Sequence, residues 1–176
     1  MMNRRVCWLV AVCATPFLSA TAFGAEPRQM TRGQYLVELA GCGHCHTPGH
    51  FLGKEDASRE LGGSDVGFEV PGMGTFVGPN LTPDQDTGLG KWTDTQIATA
   101  IRNGVRPDGR VLSPVMPWPS FNRMSDADVQ AIITYLRTLK PVRNKVPGPY
   151  RAGEDPQVFA WRMFVPPQAT SQSKRK

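Results

Sequence analysis

Apolar residues recur at helical spacing in three stretches of this chain. In the stretch from Asp126 to Leu139, Val129, Ile132, Ile133, Leu136 and Leu139 fall on one face with polar residues between them. Ser125 precedes the run with Asp128 three residues on, and Pro141 follows it, which predicts a capped helix with a sharp stop. A second helix is predicted over Thr93–Asn103. Ile97, Ala100 and Ile101 form its buried side, Thr93 and Gln96 match the capping-box pattern, and Gly104 supplies the end. The remaining stripe, Leu36, Val37, Leu39 and Ala40, predicts a helix from about Thr31 that continues to about Thr47.

Between the first two helices, Pro48 to Gly90 is rich in Gly, Pro and Asp and offers few stretches long enough for regular structure. Gly62, Gly63, Gly72, Gly74 and Gly78 allow backbone to approach a ligand closely. After Lys140 the chain carries six prolines: Pro141, Pro147, Pro149, Pro156, Pro166 and Pro167. Asp155-Pro156 is a good start for a short helix over the apolar run Val158–Val165. Phe159, Trp161 and Phe164 in that run have two readings. They fold back over the helices, or they dock a partner subunit or a membrane surface. Gln168–Lys176 reads as a disordered end.

The first 24 residues read as an export signal. Arg4 and Arg5 give a positive start, Val6–Leu18 is largely apolar, and small residues offer cleavage sites after Ala22 or Gly24. Pro16 interrupts the short apolar run, which disfavours a membrane-spanning helix. Cys13 is a poor lipid acceptor, because Val12 before it is bulky. The expected division is a signal peptide over 1–24, one domain over 25–142 and a Pro-rich C-terminal extension over 143–176. Cleavage removes Cys7 and Cys13 and leaves Cys42 and Cys45 as the only thiols, which suits an oxidising compartment such as the periplasm. The formal charge is +5, and +3 without Arg4 and Arg5. So small an excess gives no case for nucleic acid.

The chemistry concentrates in Cys42-Gly43-His44-Cys45-His46. Two cysteines three apart with a histidine after the second form the attachment signature of a c-type haem. On a helix, positions i, i+3 and i+4 share a face, so both thiols and the imidazole address one object. A thiol redox pair usually sits near a strand–helix–strand pattern, which is absent here. A zinc site needs a second cysteine pair, which the chain lacks after cleavage. One such motif implies one haem.

His46 leaves the iron's other axial position open. His44 lies inside the attachment loop, and His50 follows too closely to cross to the opposite face. The methionines arriving later are Met73, Met116, Met124 and Met163. Met116 leads, because Pro114, Pro117 and Pro119 stiffen the loop that would press a soft thioether onto iron. Met73 is the second candidate, and Met124 is expected to fill the core.

The order of Cys-x-x-Cys-His near the first helix, Gly78-Pro79-Asn80-Leu81, and a Pro-flanked methionine before a terminal helix resembles a class I cytochrome c over roughly residues 30–142. The stretches Asn80–Asp84, Thr87–Thr93, Met116–Phe121 and Tyr135–Val142 are similar to the cytochrome subunits of membrane-associated alcohol and aldehyde dehydrogenases. Those subunits commonly carry several haem modules, and this chain carries one motif.

The resemblance implies an all-α, class I cytochrome c fold, with about three to five helices wrapped around one covalent haem and long irregular loops. It also implies that the carbonyl of Pro79 accepts a hydrogen bond from the second nitrogen of His46, fixing its tautomer. With His46 and Met116 on iron, no position is open for substrate. The expected function is therefore transfer of single electrons, from a periplasmic dehydrogenase to a quinone-side or oxidase-side acceptor. The alternative is a peroxidase-like haem enzyme whose sixth ligand is displaceable. A gas sensor lacks an output domain here, and a purely structural subunit would make the Phe159–Val165 segment the point of the chain.

Overall fold

The computed structural model describes residues 30–162. The expected signal segment and the final Gln168–Lys176 lie outside the described residues, as do Met163 and Phe164.

The first predicted helix is two helices. Helix α1 covers Arg32–Leu39, with the Thr31 hydroxyl accepting from the Gln34 amide. Gly41 then takes φ +68°, a left-handed conformation that glycine adopts without steric cost, and α2 restarts at Cys42–His46. The break gives the Cys-x-x-Cys-His motif a short helix of its own. The stripe on α1 is also corrected. Leu36 and Val37 are buried, but Leu39 is 69% exposed, and Gly33 takes the inward place.

Helix α3 runs Asp94–Asn103, and both halves of the Thr93/Gln96 capping box form. The short α4, Trp118–Phe121, packs on α3. Helix α5 covers Asp126–Thr138 from a Ser125 cap, and its Val129, Ile132, Ile133 and Leu136 are all buried as predicted. These α5 residues meet Leu36, Val37, Leu61, Leu89 and Ile97 in one core, where α5 packs against both α1 and α3. Met124 packs against the same cluster. The Arg137 guanidinium ties α5 to the turn before α3 by donating to the carbonyls of Leu89 (3.0 Å) and Trp92.

Five α-helices lie among the described residues, but the fold is not all-α. Strands β1 (Val66–Val70) and β2 (Gly74–Val77) form an antiparallel hairpin inside the region expected to be irregular. The helix expected after Asp155-Pro156 is instead β3, Phe159–Arg162. It lies parallel to β1, with Val66 opposite Phe159 and Phe68 opposite Trp161, giving the order β2-β1-β3. Phe, Trp and an alternating pattern suit a pleated edge, and the partner that selects the strand is more than 90 residues away.

The segment after Lys140 therefore folds back. The Asn144 amide side chain donates to Gly62 O (2.8 Å), and Tyr150 and Thr75 exchange backbone bonds of 2.9 and 3.0 Å. The Trp161 ring sits 5.2 Å from Phe51 and 6.3 Å from Phe68, centroid to centroid, yet Phe159 and Trp161 remain 71% and 57% exposed. No helix of the described residues is long and apolar enough to cross a membrane.

Candidate haem-attachment site

Cys42, Cys45 and His46 are on α2 at the spacing that places them on one helical face. Both cysteines are free and partly buried, and His46 is buried. Burial pushes the Cys42 thiol up to about 11 and raises Cys45 as well. Both thiols are therefore held in the neutral form at neutral pH. Among the described residues, no group of three or more His, Cys, Asp or Glu side chains could hold a metal ion by itself.

His46 is fixed through one nitrogen. Its Nδ1 donates to the carbonyl of Pro79 at 2.7 Å, which leaves Nε2 with its lone pair free for a ligand. Burial holds the imidazole below its ordinary pKa, and the Pro79 bond only partly opposes this, so the ring is kept neutral.

Glycine allows the approach: a Cβ on Gly78 would stand 1.7 Å from the carbonyl oxygen of Cys45. Of the glycines read as making room for a ligand, Gly62, Gly63, Gly74 and Gly78 make room for protein, whereas a Cβ on Gly72 would meet open space. Gly78 admits α2, while Gly63 and Gly74 admit Val146 and the Tyr150 carbonyl of the returning segment.

Asn80, next to Pro79, is fully buried and fully bonded. Its Nδ2 donates to Val142 O (2.6 Å) and Thr87 Oγ1 (3.0 Å), and its Oδ1 accepts from the Thr82 amide and hydroxyl. This clasp holds the Pro79 carbonyl in place from the C-terminal side of the chain.

The remaining candidates separate cleanly. Met116 is half-buried in a tight turn, its amide bonded to Ser113 O (3.0 Å) and its carbonyl to the Trp118 amide (2.8 Å). Met73 sits at the β1–β2 hairpin tip, 49% exposed. Met163 lies outside the described residues. His44 and His50 stack on each other at 4.4 Å, and His50 Nδ1 is paired with Glu55 at 2.8 Å.

Two functional candidates carry no signal in the sequence. Arg106 Nε and Trp118 Nε1 are buried donors that meet no hydrogen-bond acceptor among the described residues. The residues present fit a haem: paired neutral thiols, an imidazole with a free Nε2, a proline-held methionine, and spare buried donors for an anionic cofactor. No local pattern flags an unpartnered donor, which only burial defines.

A helical domain that offers Cys-x-x-Cys-His on one short helix and pins its histidine through Nδ1 has the build of a c-type cytochrome. The chain belongs to the cytochrome c family, whose model, described as Cytochrome c, matches residues 30–140. It is 35% identical over 141 residues to the cytochrome c subunit of a quinone alcohol dehydrogenase from Gluconobacter oxydans (strain 621H), covering 78% of this chain and 28% of that protein. It is 36% identical over 123 residues to the fructose dehydrogenase cytochrome subunit of Gluconobacter japonicus, covering 69% and 24%. A gluconate 2-dehydrogenase cytochrome c subunit from Pantoea cypripedii is 33% identical over 112 residues, covering 64% and 23%. The chain thus spans about a quarter of the length of these relatives.

Proposed function

We propose that this chain is an exported electron carrier with one covalent haem, working beside a dehydrogenase. The observation that carries the reading is the His46 Nδ1 bond to Pro79 inside the Cys-x-x-Cys-His helix. Cys42 and Cys45 would hold haem c by thioethers, with His46 Nε2 and Met116 Sδ as axial ligands. When bound, the haem supplies a one-electron couple, whose potential methionine ligation raises.

The protein's own residues do the rest. Pro79 keeps the His46 proton on Nδ1, and the Asn80 clasp keeps Pro79 in register. Pro114, Pro117 and Pro119 limit the freedom of Met116. With His46 and Met116 both holding the iron, no position would be left for a substrate, and the chain would carry electrons without turning a substrate over.

The sequence supports the compartment, and the relatives support the donor. The segment 1–24 serves as the export signal to the periplasm. The named relatives are subunits of alcohol, fructose and gluconate dehydrogenases, which supports a dehydrogenase as donor. A quinone-side or oxidase-side acceptor would complete the path.

The test is expression with haem-maturation machinery, followed by mass spectrometry and reduced spectra with and without carbon monoxide. The expected result is one haem added, both thiols consumed and slow carbon monoxide binding. Intact thiols would overturn the haem reading. Rapid carbon monoxide binding would favour a haem enzyme with a displaceable ligand.

A further inference from the structure

Aromatic rings run in contact along one side of the molecule, beginning in the attachment loop. His44, between the two cysteines, is exposed and stacks on His50 at 4.4 Å. His50 meets Phe51 edge-on at 5.2 Å, and Phe51 meets both Phe68 and Trp161 at the same separation. The register of β1 and β3 sets the far end. Phe68 lies opposite Trp161 and Val66 opposite Phe159, so alternation puts all four on one face of the sheet. Val66 is buried, whereas Phe159 and Trp161 keep most of their surface exposed. Leu52, also half exposed, lines one groove with Phe159 and with Pro48, two residues past His46.

Size and charge say what covers this face. The outward surface of Phe159, Trp161 and Leu52 comes to roughly 350 Å², a patch size that is commonly functional on a single protein. A stable protein pair hides about 800 Å² on each side and a permanent homodimer more, while brief encounters between redox proteins hide less than about 600 Å². The patch with its rim suits the brief encounter. Charge around it is answered locally. Glu55 pairs with His50 at 2.8 Å, Asp56 pairs with Arg59 at 2.7 Å, and Asp65 accepts from the Gly49 amide at 3.0 Å. Arg162 and Glu69 pair on the opposite face of the sheet. An anionic bilayer is held by clustered lysines and arginines, but Pro48–Asp65 sets only Lys54 and Arg59 against Glu55, Asp56, Glu60 and Asp65. The complement is a protein surface that is apolar at its centre and nearly neutral around it.

We propose that this strip, from His44 to Phe159, is the docking surface for the electron donor, a dehydrogenase whose contact face is apolar and nearly uncharged. This rests on the electron-carrier reading above. Docking here sets the donor against the loop that carries Cys42 and Cys45. In each encounter one electron leaves the reduced donor and is taken up by the oxidised haem. Because apolar contact holds the pair, their association depends little on salt.

The test uses the exported holoprotein and the variants Phe159→Ser, Trp161→Ser and Leu52→Ser, with the exposed Leu39→Ser on α1 as control. The probe is a periplasmic and membrane extract of the producing bacterium lacking this gene, energised with ethanol, fructose or gluconate. The rate of haem reduction is followed by absorption as holoprotein concentration is varied, and ascorbate serves as a small reductant that needs no docking. Phe159→Ser and Trp161→Ser should each slow the second-order rate by about fivefold or more, with Leu52→Ser in the same direction. Spectra and ascorbate rates should match wild type, Leu39→Ser should be unaffected, and added salt should change the wild-type rate little. Wild-type rates in both Phe159→Ser and Trp161→Ser overturn the proposal, as does an equal loss in Leu39→Ser or a steep fall with salt. Sedimentation of wild type with phosphatidylglycerol vesicles, abolished in Trp161→Ser, would give the patch to a membrane instead. A wild-type dimer abolished in Trp161→Ser would give it to a second copy. A wild type that the energised extract does not reduce sinks the underlying reading; reduction at equal rates in the variants sinks only this one.

Discussion

Gly33 on α1 and Ala131 on α5 meet backbone to backbone, and a Cβ on Gly33 would stand 2.0 Å from the Ala131 carbonyl oxygen and 2.8 Å from Tyr135 Cβ. Neither neighbour is the movable end of a long side chain. Gly33→Ala therefore forces the two helices apart where their backbones touch. The expected cost is about 2–3 kcal/mol, seen as a melting temperature lower by roughly 5–10 °C. A melting temperature within about one degree of wild type would mean that α1 and α5 do not pack this closely.

Asn80→Ala removes a side chain whose donors and acceptor are all used in the interior, leaves the Thr82 amide without its acceptor, and leaves Val142 O only the 3.5 Å contact from the Thr82 hydroxyl. A loss of about 2–4 kcal/mol is expected in denaturant unfolding. Because Asn80 holds the neighbouring Pro79 carbonyl on His46, the imidazole should also become a weaker donor to iron, and the midpoint potential should rise. Loss of stability with an unmoved potential would uncouple the clasp from the histidine.

Met116→Ala should abolish the red-end absorption band of sulfur-ligated oxidised iron and lower the potential, whereas Met73→Ala should retain both. The tight Ser113–Trp118 turn and the exposed hairpin tip are the structural basis for the difference. The reverse outcome, with the band lost in Met73→Ala, would move the ligand to the β1–β2 hairpin.

Truncation after Val146 removes the Tyr150–Thr75 pairing and β3 but spares Asn144, Asn80, Pro79 and His46. The haem spectrum should survive, while about 2–3 kcal/mol of stability is lost as the β1 edge and Val66 are uncovered. Electron transfer from a dehydrogenase partner should also slow, because Phe159 and Trp161 keep most of their surface outside the fold. Failure of the truncated chain to take up haem would assign the strand a role in forming the site itself.

Asp84 organises the turn before α3 by accepting from the Thr87 hydroxyl and the amides of Thr87 and Asp86, bonds that hold its carboxyl below the ordinary value. A group depressed on folding adds stability above its unfolded pKa, and that stability fades as pH falls through the folded value. Stability curves of wild type and Asp84→Asn should therefore diverge at neutral pH and converge below about pH 4. A constant gap down to the acid limit would show that the lost charge is not the cause.

Helices α3 and α5 were legible because their signals are local. A cap, its partner three residues on and an apolar stripe lie within a dozen residues, and the structure uses each of them. The Cys-x-x-Cys-His spacing is legible for the same reason. The break at Gly41 was not, since an isolated glycine in an apolar stripe reads equally as a tolerated interior residue. The helix expected after Pro156 failed because Val158–Arg162 has no intrinsic preference strong enough to outweigh a free edge on β1.

By itself, then, the amino-acid order determined where two core helices start and stop, which residues present thiols and imidazole together, and that a stiff methionine follows. These are consequences of dihedral preference and spacing along one chain. Only the tertiary structure decided that the C-terminal segment pairs with β1, that Gly33, Gly74 and Gly78 admit backbone, and that the Nε of Arg106 and the Nε1 of Trp118 are shielded from water without a hydrogen-bond acceptor among the described residues. Each of those depends on groups far apart in sequence, whose separation in space exists only once the core around Ile97 and Ile133 has closed.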